Sequence, residues 1–247
     1  AMAFRPGDTI QLTGMFIGVE DPTHSIRLGR DVEGPLLVVL GPKFNTGQDG
    51  NVAQRFHDLE TWTLATLPVG ELRWRWCNED YDTADRLPYV GEPDPSKAEG
   101  FFIATGFNAW GISNGSAAGL LMADRIVTGS SPYSALFDPT RPCPEDFHKG
   151  GDTQSLIEDA ERIAPGEGGV ITSGEEKIAV WRSADGQLHS LLASCTHKGC
   201  TVTWNNADRT WDCPCHGSDL QGRWVGPSRP CTQAPAAGKA MTLGLHL

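Results

Sequence analysis

The spacing of apolar and polar positions changes along this chain, and each change marks an element. From Thr9 to Val19, Ile10, Leu12, Met15, Ile17 and Val19 partly alternate with polar residues, which predicts strand. Leu36 to Leu40 is an unbroken aliphatic run between Gly34-Pro35 and Gly41-Pro42, the pattern of a buried strand. Asp49-Gly50 then turns the chain. Val52, Phe56, Leu59 and Trp62 share one helical face, with Asn51 as N-cap and Gln54 as its capping-box partner. Pro68 and Gly70 close that helix. Glu71 to Trp76 alternates again, with Leu72, Trp74 and Trp76 on one side.

Residues 82–100 are rich in Pro, Gly and Asp and read as turns. Phe101 to Thr105 predicts a buried strand, Gly106 to Asn114 a loop, and Gly115 to Val127 a helix. Gly111, Gly115 and Gly119 lie four apart, a spacing that suits close packing against a sheet or a ligand. Residues 129–151 read as a linker, and Thr153 to Ile163 as a short helix stopped by Pro165-Gly166. Short strands follow at Val170–Thr172, Ile178–Trp181, Leu188–Leu192, Thr201–Trp204 and Thr210–Trp211. Turns at Asp185-Gly186 and Asn205-Asn206-Ala207-Asp208 separate them, which predicts a small antiparallel β domain. Ala1-Met2-Ala3 reads as a vector-derived scar and is set outside the fold.

Composition narrows the function classes. The net charge of −11 argues against a nucleic-acid footprint. No apolar run approaches the ~18 residues of a membrane span, and no signal peptide opens the chain. Seven cysteines make an odd set. Cys77, Cys143 and Cys231 are scattered without ligand spacing and read as small buried or free thiols, so a disulfide-stapled secreted protein is not expected.

The remaining four cysteines cluster with two histidines in Cys195-Thr196-His197-Lys198-Gly199-Cys200 and Cys213-Pro214-Cys215-His216-Gly217-Ser218. The hairpin expected between these stretches brings them side by side. Each then offers a thiolate and an imidazole, from Cys195 and His197 in one and Cys213 and His216 in the other. A two-iron cluster can take both thiolates on one iron and both imidazoles on the other. Zinc fits less well, because the site has surplus ligands and Cys213-x-Cys215 is tighter than zinc spacing. A dithiol of the C-x-x-C type is absent. Two thiolates instead of four leave the oxidised centre neutral, which places its potential at roughly −150 to +300 mV. Ser218 can donate to a bridging sulfide, a disulfide between Cys200 and Cys215 would clamp the loops, and Gly199 and Gly217 permit left-handed turns.

Residues 195–218 resemble the Rieske signature, C-x-H-x-G-C followed by C-P-C-H-G-S. That resemblance implies Cys195, His197, Cys213 and His216 as iron ligands and Cys200–Cys215 as a disulfide, an extra pair more typical of quinol-oxidising cytochrome complexes. Leu220 departs from the family by replacing a common aromatic residue, and Lys198 by replacing an apolar shield.

Residues 4–141 resemble the FAD-dependent oxidoreductases of the glycine oxidase and D-amino-acid oxidase superfamily. The segments that carry this resemblance are Arg75 to Tyr81, Asp85 to Gly91, Phe102 to Gly111 and Leu136 to Arg141. The resemblance implies an α+β N-terminal part, made of a partial substrate-domain sheet and the last strand and helix of a flavin domain, followed by an all-β Rieske domain. Its boundaries would be 4–141 for the oxidoreductase region, 142–164 for a linker with a short helix, and 165–247 for the Rieske domain.

It also implies a [2Fe–2S] cluster, and FAD in the intact parent near Gly106, Asn108, Trp110 and Gly111. The G-x-G-x-x-G that holds the FAD pyrophosphate is not in this sequence, so the chain reads as a C-terminal fragment. The expected function is oxidoreductase chemistry in which the cluster passes single electrons to or from an FAD-dependent amine or amino-acid-type enzyme. The alternative is a stand-alone electron-transfer module without substrate chemistry. A third reading is a redox-silent interaction domain with a structural metal, which iron and acid-labile sulfide would exclude. The expected partners are a redox protein or the flavin domain, plus a small-molecule substrate of the parent. The expected location is the cytoplasm.

Overall fold

The computed structural model describes residues 1–94, 96, 99–142 and 156–220. They fold as two compact units. One takes Ala1–Cys77 with the described part of Gly150–Leu247, and the other takes Asn78–Lys149.

The first unit opens with β1 (Met2–Pro6), β2 (Met15–Ile17), β3 (Ser25–Asp31) and β4 (Gly34–Leu40), followed by α1 (Val52–Thr66) and β5 (Val69–Arg75). The strands form one antiparallel sheet in the order β2-β3-β4-β1-β5. The aliphatic run of β4 is continuous because both faces are covered. Leu37 and Val39 join Met2, Phe4, Val52, Phe56 and Leu59 beneath α1, while Leu36 and Val38 pack with Ala3 on the opposite face.

The expectation that Ala1-Met2-Ala3 lies outside the fold is wrong. Met2 and Ala3 are 1% exposed, in a strand flanked by β4 and β5. A five-residue strand carrying Arg5 and Pro6 shows too little alternation to be read from sequence. The strand expected over Thr9–Val19 shrinks to β2, an exposed edge. The polar β3 was not expected. Arg5 locks β1 to the β3–β4 turn, with 2.9 Å contacts to both Asp31 carboxylate oxygens, and its guanidinium pulls the Asp31 carboxyl down to about 2.

Asn51 caps α1 by accepting from the Gln54 N–H at 3.1 Å. The reciprocal arm of the capping box does not form, because the Gln54 side chain donates to Asp58. Thr63 takes the buried position expected of Trp62, since the eleven residues from Val52 make about three full turns. Trp62 rotates off the stripe and stacks on His24 at 3.9 Å.

The second unit holds β6 (Tyr89–Gly91), β7 (Ile103–Thr105) and α2 (Gly111–Thr128). The two strands pair antiparallel. β6 lies in the stretch read as turns. α2 begins four residues before its expected start and ends at Gly129, whose φ is +79°. Val90, Ala118 and Leu121 form the core with Phe107, Met122 and Phe137. Arg141 forks onto Asp85 at 2.6 and 3.0 Å and covers the Tyr89 ring. The spaced glycines of α2 make no close packing among the described residues. A Cβ at Gly111 or Gly119 would meet open space.

The rest of the first unit is β8 (Gly168–Ser173), β9 (Glu176–Arg182), β10 (Leu188–Leu192), β11 (Thr203–Asn205), β12 (Thr210–Asp212) and β13 (Asp219–Leu220). They form two antiparallel sheets, β10-β9-β8 and β11-β12-β13. The five expected strands are all present, and the two-residue β13 is an addition. Residues 153–155 of the expected short helix, like Cys143 and Cys231, lie outside the described residues. The remainder is not α-helical. Ile157 donates its N–H to the Val170 carbonyl at 2.8 Å, and only Ala160–Arg162 makes a 3₁₀ turn. Ile157 reaches over Gly169, which has no Cβ to obstruct it, and that strand-like pairing prevails over helical periodicity.

Candidate metal centre

The two Cys/His stretches are loops of the same build. In the first, Cys195 N–H donates to the Cys200 carbonyl and Gly199 N–H donates back to Cys195. In the second, Cys213 N–H donates to the Ser218 carbonyl and Gly217 N–H donates back to Cys213. Each loop is six residues closed by its first N–H, with a left-handed glycine in fifth place, φ +72° at Gly199 and +70° at Gly217. The antiparallel pair β11 and β12 leads out of one loop and into the other, and Trp204 and Trp211 face each other across it, ring centroids 5.0 Å apart.

Cys200 and Cys215 form a disulfide that ties the loops together, Cα–Cα 6.4 Å. The Cys195 and Cys213 thiols are free, 2% and 1% exposed, and share a hydrogen bond. Burial pushes the Cys213 thiol up. His197 and His216 are exposed at the rim, their ring centroids 4.7 Å apart. Burial first, then His197 and Lys198, lowers the pKa of His216. The Sγ atoms of Cys200, Cys213 and Cys215 lie within 4.8 Å of one another, yet two of them are spent in the disulfide and cannot act as thiolates. The available donors are therefore two thiols inside and two imidazoles outside. Burial makes the Cys213 thiol resist ionisation, and a cationic centre beside it would reverse that preference.

Residues 154–239 match the model of the Rieske [2Fe-2S] domain, and residues 4–125 that of the FAD dependent oxidoreductase family. The chain carries a Rieske [2Fe–2S] domain behind an FAD-dependent oxidoreductase segment. A Bacillus subtilis protein named as a Rieske 2Fe-2S iron-sulfur protein, YhfW, is 28% identical over 242 residues, covering 90% of this chain and 45% of the relative. The cytochrome b6-f complex iron-sulfur subunit of Chlorobaculum thiosulfatiphilum is 37% identical over 73 residues, 29% of this chain and 40% of the relative. Subunit 1 of the same kind from Synechocystis is 56% identical over 36 residues, 14% of this chain and 20% of the relative. The chain thus spans less than half the length of these relatives.

The Rieske domain carries a [2Fe–2S] cluster, and the donor set described above fits it in number and kind. Ser218 ends the second loop and Lys198 is exposed beside His197. Leu220 is completely buried in the domain core with Val202 and Trp211. Below the site, the Asp212 carboxylate accepts from Asn205 and Thr210, both at 2.9 Å, and burial pushes it up to about 6. Nothing in the sequence motif marks Asp212.

The four residues expected near FAD sit together between β7 and the start of α2, in the second unit. Asn108 has a left-handed backbone, φ +52°, and spends its side chain on the loop itself. It accepts from Thr83 N–H at 2.8 Å and donates to the Gly106 carbonyl at 2.7 Å. Gly106 is buried against Thr83. Trp110 is 60% exposed just before α2, and Gly111 is its first residue. Among the described residues, no helix is long and apolar enough to cross a membrane.

Proposed function

We propose that Cys195, His197, Cys213 and His216 ligate the [2Fe–2S] cluster, with both thiolates on one iron and both imidazoles on the other. We assign this chain to an oxidoreductase whose FAD-dependent part oxidises an amine or amino-acid-type substrate. The cluster supplies a one-electron site, and FAD near Gly106, Asn108, Trp110 and Gly111 of the intact protein supplies a two-electron one. The observation that carries the ligand assignment is the pair of buried thiols in contact, with two exposed imidazoles in contact on the same two loops. The chain's own residues do the rest. The disulfide holds the loops together, Ser218 would donate to a sulfide, and the exposed imidazoles would keep a proton-exchanging face toward solvent and a redox partner.

A cleft of about 550 Å³ beside Ala3, Leu36 and Val38 of the first sheet suits the substrate assignment. Arg27 and Arg30 line it with Trp74 and with Asp31, whose carboxylate Arg5 already pairs, and the two arginines suit an anionic group such as a carboxylate. We divide the chain into an oxidoreductase region at 4–141, a linker at 142–164 and the Rieske domain at 165–247. We place the protein in the cytoplasm, which cell fractionation tests.

Anaerobic purification followed by iron and acid-labile sulfide analysis and EPR tests the ligand set. Two irons, two sulfides and a rhombic Rieske spectrum are expected, all lost in Cys213→Ser. Stoichiometric zinc without sulfide would overturn it. A flavin band bleached by an amine substrate in the full-length protein supports the oxidoreductase reading. A Rieske signal in a full-length protein without flavin leaves the electron-transfer module in its place.

A further inference from the structure

The loop between β4 and α1, residues 41–50, belongs to the oxidoreductase segment, yet it lies against the second cluster loop. Gly47 is buried there with φ +69°. A Cβ on Gly47 would sit 2.7 Å from the Pro214 backbone N, 3.0 Å from its Cα and 3.0 Å from the Asp212 carbonyl oxygen. Those atoms flank Cys213 on either side. Because they are backbone, no rotamer change can relieve the crowding.

A second contact fixes the same region from the turn between β11 and β12. The Asn206 Oδ1 accepts from Ala53 N–H at 2.9 Å, and its Nδ2 donates to the Asn51 Oδ1 at 3.1 Å. Asn206 therefore caps the first turn of α1 alongside Asn51, from 155 positions away. Ala207, next to it, packs against the core beneath α1. The 41–50 loop and the first turn of α1 thus touch both ends of β12: the turn that enters it, and the Asp212 and Pro214 backbone on either side of the cysteine that follows it.

We propose that Gly47 is a positioning residue for the iron–sulfur centre, and that the oxidoreductase segment, through Gly47 and the Asn51–Asn206 latch, sets where the Cys213–His216 loop stands. The proposal rests on the reading of Cys213 and His216 as ligands. It makes the Rieske domain a fixed part of the first unit and not a head swinging on a tether. The sulfur side of the site is backed by the oxidoreductase segment, and the imidazole side stays open.

The test uses the whole chain, reconstituted with iron and sulfide, and compares Gly47→Ala and Asn206→Ala with the unsubstituted protein. Gly47→Ala is expected to shift the EPR g values and the midpoint potential and to shorten cluster retention under chelator challenge. Asn206→Ala is expected to shift them in the same direction by less. It should also speed hydrogen exchange in the first turn of α1 and the β11–β12 turn together. Asn206→Asp keeps the acceptor for Ala53 and loses the donor, so it should recover part of the effect.

Folded variants with unaltered g values, potential and retention would overturn the proposal. If Gly47→Ala does not fold, Asn206→Ala decides by the same readouts. Failure of the unsubstituted chain to hold iron and sulfide overturns the ligand reading instead. The latch is then judged by hydrogen exchange alone, and independent exchange of the two turns rejects it.

Discussion

At the scale of single residues, two carboxylates show how partners set behaviour. Asp85 accepts both arms of Arg141, which holds its carboxyl down at about 2, well below the ordinary carboxylate value. Because the folded value is depressed, the pair's contribution is complete above about pH 4 and is lost as pH falls toward 2. Thermal melts of Asp85→Asn against the parent should differ by about 1 kcal/mol near neutral pH and converge in acid. Leu220 is the residue-scale counterpart in the β-rich part. It is completely buried, so Leu220→Ala should cost about 2–5 kcal/mol in urea denaturation. Leu220 clusters there with Val202 and Trp211.

At the scale of elements, what the sequence revealed depended on how local the cause was. α1 was legible because its cap and stripe lie within fifteen residues. The six-residue metal loops were legible because ligand chemistry demands fixed residue types at fixed spacing. β1 was not, since a strand buried on both faces inside a sheet has no alternation to display over five residues. β3 was hidden by its polar composition, and the 153–163 helix failed because Ile157 found a distant strand partner. Gly47 and Asn206 belong to the same class. Each acts on a segment more than 150 positions away, and neither carries a local signature.

Two element-level outcomes follow. Asn51→Ala should lower stability by about 1–2 kcal/mol in chemical denaturation, because it removes the cap of α1 and one arm of the latch. The Cys200→Ser, Cys215→Ser double variant opens a link across 15 positions and should lose about 2–4 kcal/mol in the same assay.

At the scale of the whole molecule, the two compact units can be tested for independent unfolding. Calorimetry should resolve two transitions. Asp85→Asn should move only the one belonging to Asn78–Lys149, and loss of the disulfide only the other. A single transition shifted by both variants would refute that independence. α2 contributes an unusual surface to its unit, with Ile112 and Val127 at 84% and 82% exposure.

The latch also has a consequence in time. The first turn of α1 is synthesised before the asparagine that completes its cap, which is added 153 positions after Ala53. At a synthesis rate of ~5–20 residues per second, that is a wait of roughly 8–30 s. During that interval the sheet and helix lack the surface they later hold in place. The cap of α1 is thus completed only once a segment 153 positions downstream has been made and folded back onto it.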